Sequence, residues 1–153
     1  LDREVERAAR LGHELCLIML DIDHFKSIND NYGHQVGDDV IVTLANAIGK
    51  TFRSADLCCR YGGEEFVIIM PDASTEGALA VTTRLQKQFA NSCRDRKIPV
   101  TQRITFTAGI SSYPVDGEAP ETLLRTADDR LYHGKRGGRD RIETHSAGIV
   151  ARA

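Results

Sequence analysis

Apolar and polar positions along this 153-residue chain change spacing several times, and each change predicts a new element. The run Leu15–Leu20 is continuously apolar and stops at Asp21, which is typical of a strand buried on both faces. From Val40 to Phe52, apolar residues recur at three- and four-residue steps behind Asp38, a residue type that favours helix starts. The polar residues Asn29–Gly33 between them predict a turn.

A second apolar pair predicts a β-hairpin. Segments 57–61 and 66–70 flank Gly62-Gly63-Glu64-Glu65, so two strands would be joined by a glycine-led turn with two carboxylates at its tip. Ser74 is suited to cap a helix whose apolar stripe runs from Ala78 to Phe89.

The rest of the chain completes the domain. Residues 104–110 alternate as a strand, Pro120 opens a helix that ends at Gly137-Gly138, and a short strand is expected near Ile142. With a first helix over residues 2–11, this order predicts an α/β (α+β) fold, a mixed central β-sheet surrounded by helices. We expect one domain over residues 1–143 and a loose tail over residues 144–153.

Composition and charge narrow the class of protein. The chain is 41% hydrophobic and 27% charged, as folded domains are. Its 20 basic and 22 acidic residues nearly cancel, which leaves no basic field for a nucleic acid polymer, so phosphate binding must be local. Four cysteines without C-x-x-C spacing predict reduced thiols and a cytoplasmic location. No apolar run is long enough to cross a bilayer, although the full-length protein could carry a membrane anchor elsewhere.

Acidic residues at the predicted strand end and hairpin tip are the first candidates for chemistry. Asp21 and Asp23 would bind a cation or cap a turn, and the alternative is a strand end that reaches solvent. Because side chains alternate along a strand, we expect Glu64 and Glu65 to point to opposite faces, with only one joining Asp21 directly.

The glycines of the hairpin suggest phosphate binding. Gly62 and Gly63 leave backbone amides open to a phosphate, which the neighbouring carboxylates would repel unless a metal ion intervenes. Carboxylates beside phosphates are typical of Mg²⁺ (or Mn²⁺) sites in nucleotide enzymes.

Five blocks of sequence resemble the GGDEF family in order and spacing, in the variant Gly-Gly-Glu-Glu-Phe. They are residues 21–30, 32–34, 37–38, 60–66 and 127–139. The match extends from about Leu15 to Arg141. The resemblance implies a fold similar to nucleotidyl cyclases and polymerase palms, with a ferredoxin-like core. It also implies a diguanylate cyclase that condenses two GTP into cyclic di-GMP (3′,5′) and releases pyrophosphate.

The resemblance also implies roles for individual residues. Asp21, Glu64 and Glu65 would be catalytic, and the metal would be held by Asp21, Glu64 and the main-chain carbonyl of Ile22. Glu65 would help to deprotonate the 3′-hydroxyl or hold a second metal, and both alternatives stay open. The implied substrate contacts are Phe25, Asn29, His34, Asp38, Gly62, Gly63, Lys135 and Arg139.

The implied guanine and phosphate contacts agree with their chemistry. Guanine presents an N1–H and an exocyclic amino group, so the Asp38 carboxylate and the Asn29 amide can select guanine over adenine, but turn formation and capping are alternatives. Lys135 and Arg139 would bind the triphosphate, although basic residues also suit the end of a helix.

An Arg-x-x-Asp motif precedes the hairpin and resembles the family's inhibitory product-binding site. In this motif, Arg53 would bind phosphate or a guanine edge, and Asp56 would accept hydrogen bonds from guanine. Outside the motif, Arg84 matches in position another arginine of such sites. The alternative is an exposed ion pair. Feedback inhibition by cyclic di-GMP is therefore expected.

Partners and departures from the family pattern complete the expectations. The two-fold symmetry of cyclic di-GMP implies a homodimer of domains, and a regulatory sensor or receiver domain is expected elsewhere in the full-length chain.

No D-x-L-T-G-L segment precedes Leu1, so we expect the front of the domain to lie outside this sequence. Arg130, Gly134 and Asp140 are unusual for the family, and Gly134 would weaken its helix by about 1 kcal/mol.

Other functional classes remain as alternatives. The domain could be a catalytically silent sensor that binds GTP or cyclic di-GMP. It could also be a nucleotidyl cyclase that uses one nucleotide per active site, or an interaction domain. The last alternative leaves the acids at both strand ends unexplained.

Overall fold

The computed structural model describes residues 1–145, which form one five-stranded sheet with helices on both faces. The helices are α1 (Asp2–Leu11), α2 (Phe25–Tyr32), α3 (His34–Thr51), α4 (Thr75–Asp95) and α5 (Pro120–Arg136). The strands are β1 (Leu15–Ile22), β2 (Leu57–Arg60), β3 (Glu65–Pro71), β4 (Phe106–Tyr113) and β5 (Ile142–Glu143). Of the predicted tail, residues 146–153 lie outside the described residues.

The sheet has the order β2-β3-β1-β4-β5, with β5 parallel to β4 and the other neighbours antiparallel. The predicted mixed sheet surrounded by helices is therefore confirmed. Every residue of β1 is buried, because helices cover both faces of the strand.

Alternate residues of β1 belong to two separate cores. Leu15, Leu17 and Met19 pack with residues of α1 and α5, whereas Ile18 and Leu20 pack with residues of α2, α3 and α4. The continuous apolar run of the sequence is thus explained by burial on both sides, and the strand carries Asp21 to one edge of the packed layers.

Two predictions between β1 and α3 are wrong. The polar turn expected before Gly33 is helix α2, which is held by the buried side chains of Phe25 and Ile28. Helix α3 begins at His34, so Asp38 lies exposed inside the helix and is not its N-terminal residue. Gly33, at φ 86°, separates the two helices.

Several local predictions are confirmed. The Ser74 hydroxyl accepts a hydrogen bond from the Gly77 amide at 3.2 Å and caps α4, while Pro120 opens α5 and Gly137 follows its end. All four cysteines are free thiols. Within residues 1–145, no helix combines the length and the apolar character needed to cross a membrane.

Candidate active site

Three acidic residues lie near one another where β1 ends against the hairpin, and we call Asp21, Glu64 and Glu65 the acid edge. The antiparallel register places Asp21 directly opposite Glu65, so these side chains share one face of the sheet. The Ile22 amide donates to the Glu64 carbonyl at 3.4 Å, which brings Glu64 beside the same strand end. Of the two glutamates, Glu65 is thus the one that the register places opposite Asp21, and the charges of both act on the Asp21 carboxyl group.

Asp21 is a buried carboxylate with a cationic neighbour. Its side chain is 8% exposed, and the Lys135 ammonium nitrogen lies 2.8 Å from Asp21 Oδ2. Burial raises the pKa of Asp21 to about 6; Lys135 acts against this rise, and Glu64 and Glu65 add to it. Burial and the two glutamates thus disfavour the negative charge of this carboxylate, whereas Lys135 favours it.

The donors at this edge suit a small divalent ion. The carboxylates of Asp21 and Glu64 and the carbonyl of Ile22 are hard oxygen ligands, which Mg²⁺ prefers. In the part of the chain that the structure describes, no three His, Cys, Asp or Glu side chains converge as a metal cluster. Protein-bound magnesium commonly keeps waters and takes phosphate oxygens as its other ligands.

Asp23 has a different environment from Asp21. Its buried carboxylate accepts from the Thr105 and Thr107 hydroxyls, both at 2.7 Å, and from the Asp140 amide at 3.1 Å. These bonds fasten the end of β1 to the start of β4, to the residue just before it and to the loop after α5. Of the two acids named from the sequence, Asp23 therefore has the turn-holding role.

An arginine that sequence reasoning left without a role orders the hairpin turn. The Arg60 guanidinium donates to the Gly62 carbonyl at 3.2 Å and to the Gly63 carbonyl at 2.9 and 2.6 Å. In a trans peptide the N–H points away from the C=O. The amides of Gly63 and Glu64 are consequently turned away from Arg60, and Gly63 is exposed. In the sequence, this role is indicated by a basic residue two positions before the glycine turn.

The residues expected to contact guanine lie on α2 and α3, and we call Phe25, Asn29, His34 and Asp38 the base end. Phe25 is buried, whereas His34 and Asp38 are exposed and four residues apart on one side of α3. Asn29 Oδ1 is buried and has no hydrogen-bond partner among the described residues. An orphaned acceptor of this kind is unusual in a protein interior and requires an explanation.

The two basic residues expected at the triphosphate lie at and just beyond the end of α5. Lys135 is paired with Asp21, so it reaches the acid edge itself. Arg139 has a left-handed backbone at φ 62°, and its amide donates to the Gly134 carbonyl at 3.0 Å. The next residue, Asp140, is the one held by Asp23, so the loop carrying Arg139 is fastened to β1.

Arg53, Asp56 and Arg84 line one cavity of about 300 Å³, which we call the Arg53 cavity. The Asp56 side chain is 1% exposed and accepts from the Arg53 guanidinium at 3.2 Å and the Arg53 amide at 2.8 Å. Arg84 donates to the Thr51 carbonyl at 3.0 Å. An Arg53–Asp56 ion pair is present, although its acid is buried and not exposed as in the alternative, and the cavity brings all three predicted residues together.

Known proteins of one family match nearly the whole chain. The family model described as diguanylate cyclase, GGDEF domain, matches residues 1–141. Diguanylate cyclase DgcP of Pseudomonas aeruginosa is 43% identical over 143 residues, which is 94% of this chain and 21% of the relative. The response regulator PleD of Caulobacter vibrioides is 38% identical over 146 residues, which is 93% of this chain and 32% of the relative.

A solved structure supports the same relationship. The crystal structure of the GGDEF domain of DgcB from Caulobacter crescentus in complex with c-di-GMP has a TM-score of 0.84 and 34% identity, and the match covers 94% of this chain and 85% of that one. This chain spans about a fifth to a third of the length of the two curated relatives. The acid edge, the base end and the Arg53 cavity all lie within the matched residues, and the chain belongs to the GGDEF domain family.

Proposed function

We propose that this chain is the catalytic domain of a diguanylate cyclase, which condenses two GTP into cyclic di-GMP and releases two pyrophosphates. The observation that carries the proposal is the acid edge, where Asp21 lies opposite Glu65 and beside the Glu64 backbone. A glycine turn whose amides point away from Arg60 adjoins it. Carboxylates next to open amides suit a metal-bound triphosphate.

Each part of the site contributes one interaction to the reaction. Asn29 and Asp38 bind and orient guanine, and Phe25 and His34 shape that end of the pocket. The open amides of the hairpin turn, with Lys135 and Arg139, bind the phosphates. When bound, Mg²⁺ or Mn²⁺ would be held by Asp21, Glu64 and the Ile22 carbonyl and would polarise the phosphate oxygens.

The reaction requires two copies of the site. The 3′-hydroxyl of one GTP forms a bond to the α-phosphorus of the other, the bond from that phosphorus to the pyrophosphate oxygen breaks, and the hydroxyl proton leaves. The same exchange in the opposite direction closes the ring, so each domain of a homodimer supplies one GTP. Glu65, on the face of Asp21, either takes that proton or holds a second ion.

Regulation is part of the same proposal. Cyclic di-GMP occupies the Arg53 cavity and inhibits, because an arginine fork suits phosphate and the buried Asp56 suits guanine nitrogens. The curated relatives extend well beyond the matched region, and one is a response regulator. A sensor or receiver domain in the full-length chain would therefore control how the two domains meet.

A second candidate function is a sensor that binds nucleotide without turning it over. The Lys135–Asp21 ion pair favours it, because an ammonium group already neutralises the carboxylate that a metal would need. The two candidates differ in what they require of Glu64: the cyclase needs its carboxylate, whereas the sensor does not.

The deciding experiment uses the purified domain at high concentration with GTP and Mg²⁺, and chromatography of the nucleotides. Glu64→Gln preserves the shape of the side chain and removes its charge, and Glu121→Gln makes the same change at an exposed position of α5. We expect cyclic di-GMP from the unmodified domain and from Glu121→Gln, with at least a hundredfold less from Glu64→Gln.

Two outcomes would contradict the cyclase. One is equal synthesis by Glu64→Gln, which would remove the acid edge from the mechanism. The other is GTP binding without product even when two domains are joined by a leucine zipper, which would establish the sensor.

A further inference from the structure

Gly37, in α3, lies against the side chain of Asn29, in α2. A Cβ atom at Gly37 would lie 1.9 Å from Asn29 Oδ1, 3.0 Å from Asn29 Cγ and 3.2 Å from Phe25 Cζ. Real Cβ atoms essentially never lie within 3.0 Å of another heavy atom, so the carboxamide of Asn29 occupies the volume that any other residue at position 37 would fill.

The helix itself gives no reason for a glycine at this position. Gly37 has an ordinary helical backbone and lies inside α3, where glycine is less favourable than alanine. Gly49 in the same helix has nothing within 4 Å of its Cβ direction. The two glycines thus share a helix and differ in what a side chain would meet.

The carboxamide that fills this space is short of partners. Asn29 Oδ1 is buried without a hydrogen bond among the described residues. The N1–H and 2-amino groups of guanine are donors that could satisfy such an acceptor. Asp38, the other residue assigned to guanine, follows Gly37 directly, so one turn of α3 supplies both an acid and the space for Asn29.

We propose that Gly37 is a specificity-determining position, which acts by leaving the space in which the Asn29 carboxamide is held for guanine. The inference rests on the proposed function, in which Asn29 reads guanine. Gly37 is a positioning residue, since it acts on the base only through Asn29. A larger residue would displace the carboxamide and weaken discrimination for guanine, while the acid edge at the other part of the site stays intact.

The test is a double-mutant cycle in the intact domain with Gly37→Ala, Asn29→Ala and the double variant, and with Gly49→Ala as the matched control. The measured quantities are the affinities for the α,β-methylene analogues of GTP and of inosine triphosphate, by calorimetry. These analogues do not release pyrophosphate, and inosine lacks the 2-amino group of guanine. Thermal unfolding is followed in parallel.

We expect the unmodified domain and Gly49→Ala to prefer the guanosine analogue at least fivefold. Gly37→Ala and Asn29→Ala should each reduce that preference to about twofold or less. In the Asn29→Ala background, Gly37→Ala should change the affinity by less than twofold. There it should change Tm more favourably than in the unmodified domain, because the clash with Asn29 is gone and only Phe25 Cζ, at 3.2 Å, still opposes the gain in helix propensity.

The inference is overturned if Gly37→Ala keeps the full preference, or lowers affinity equally with and without Asn29. If Gly37→Ala does not fold, folding of the double variant would support the clash with Asn29, and failure of both would assign the space to Phe25 and overturn the inference. A domain that binds neither analogue would instead contradict the proposed function, as would an Asn29→Ala variant with unchanged preference.

Discussion

Asp23 is expected to stabilise the fold through three hydrogen bonds, and replacing it by Ala should lower the free energy of unfolding by about 3 kcal/mol. Two of its donors are threonine hydroxyls at 2.7 Å, and the third is the Asp140 amide at 3.1 Å. A hydrogen bond to a charged acceptor contributes about 1.5 to 3 kcal/mol. The half-buried Asp140 amide can bond to water in the variant, so its bond is left out of the estimate. The two hydroxyl bonds, at about 1.5 kcal/mol each, give the expected loss of about 3 kcal/mol.

Asp23→Asn is the informative comparison. Its Oδ1 can still accept from the Asp140 amide, and one threonine hydroxyl can rotate to accept from Nδ2. We therefore expect a loss of only about 1 kcal/mol, because shape and most of the bonds are kept. Both variants remove the same negative charge. The expected difference between their losses of unfolding free energy therefore comes from the hydrogen bonds.

Urea unfolding measures both losses. With a slope of about 2 kcal/mol per M, the midpoint should fall by about 1.5 M for Asp23→Ala and about 0.5 M for Asp23→Asn. Asp129→Ala, at an exposed position of α5, should leave the midpoint within about 0.25 M. The reasoning is refuted if the Ala variant shifts the midpoint by less than about 0.5 M, or if the two Asp23 variants shift it equally.

Three further predictions concern charge. Lys135→Met should tighten Mn²⁺ binding without nucleotide roughly fivefold in calorimetry, because an ammonium 2.8 Å from Asp21 competes with the metal and a nearby unit charge contributes about 1 kcal/mol in water. Arg53→Ala should raise the concentration of cyclic di-GMP that half-inhibits synthesis at least tenfold, since the guanidinium lines the cavity that we propose binds the product. Burial raises the pKa of Asp116, but its hydrogen bonds and the charge of Arg130 outweigh burial and hold the pKa below the ordinary value of 3.8. The carboxylate therefore stabilises the fold fully above the pKa of the unfolded state. This contribution is lost as the pH falls through the lower pKa of the folded state. Arg130→Met should therefore show a smaller loss of unfolding free energy between pH 5 and 3 than the unmodified domain.

Each of these predictions has a matched control. Arg136→Met removes the same charge one residue after Lys135, where the guanidinium lies over Tyr132, and should leave Mn²⁺ affinity nearly unchanged. Lys87→Ala on α4 should leave inhibition by product unchanged, and Arg125→Met on α5 should keep the pH profile. Weaker Mn²⁺ binding by the Lys135 variant, unchanged inhibition in the Arg53 variant, or parallel pH profiles would contradict the respective reasoning.

The strands and long helices were predictable because their apolar spacing is set by burial. The run that forms β1 is apolar on both faces since helices cover both, and α5 shows a helical stripe between Pro120 and Gly137. Helix α2 was missed because its polar residues have weak helix propensity and it ends at a glycine. Only tertiary packing of Phe25 and Ile28 makes that segment helical, and short-range pattern carries little of that information.

The strand and hairpin pattern pointed to the residues of the acid edge, and the resemblance to a family supplied those of the base end and the Arg53 cavity, but neither supplied their contacts with one another. Arg60 contacts carbonyl groups of the turn, and such contacts depend on the conformation of the hairpin. Asn29 and Gly37 meet only because α2, absent from the sequence prediction, packs beside α3. A site can thus be named from its motifs before the space and the charges around each residue are known.

Gly134 illustrates why the remaining contacts required the three-dimensional structure. On the sequence it weakens a helix by about 1 kcal/mol, which is the effect of glycine on an isolated helix. In the fold, a Cβ at Gly134 would lie 2.7 Å from Thr107 Cγ2, so the glycine lets the end of α5 approach β4 closely. The next residue, Lys135, is thereby brought to Asp21, 114 positions earlier in the chain. The local cost of the glycine and the long-range ion pair are therefore two consequences of one packing requirement, and only the local cost can be derived from the helix alone.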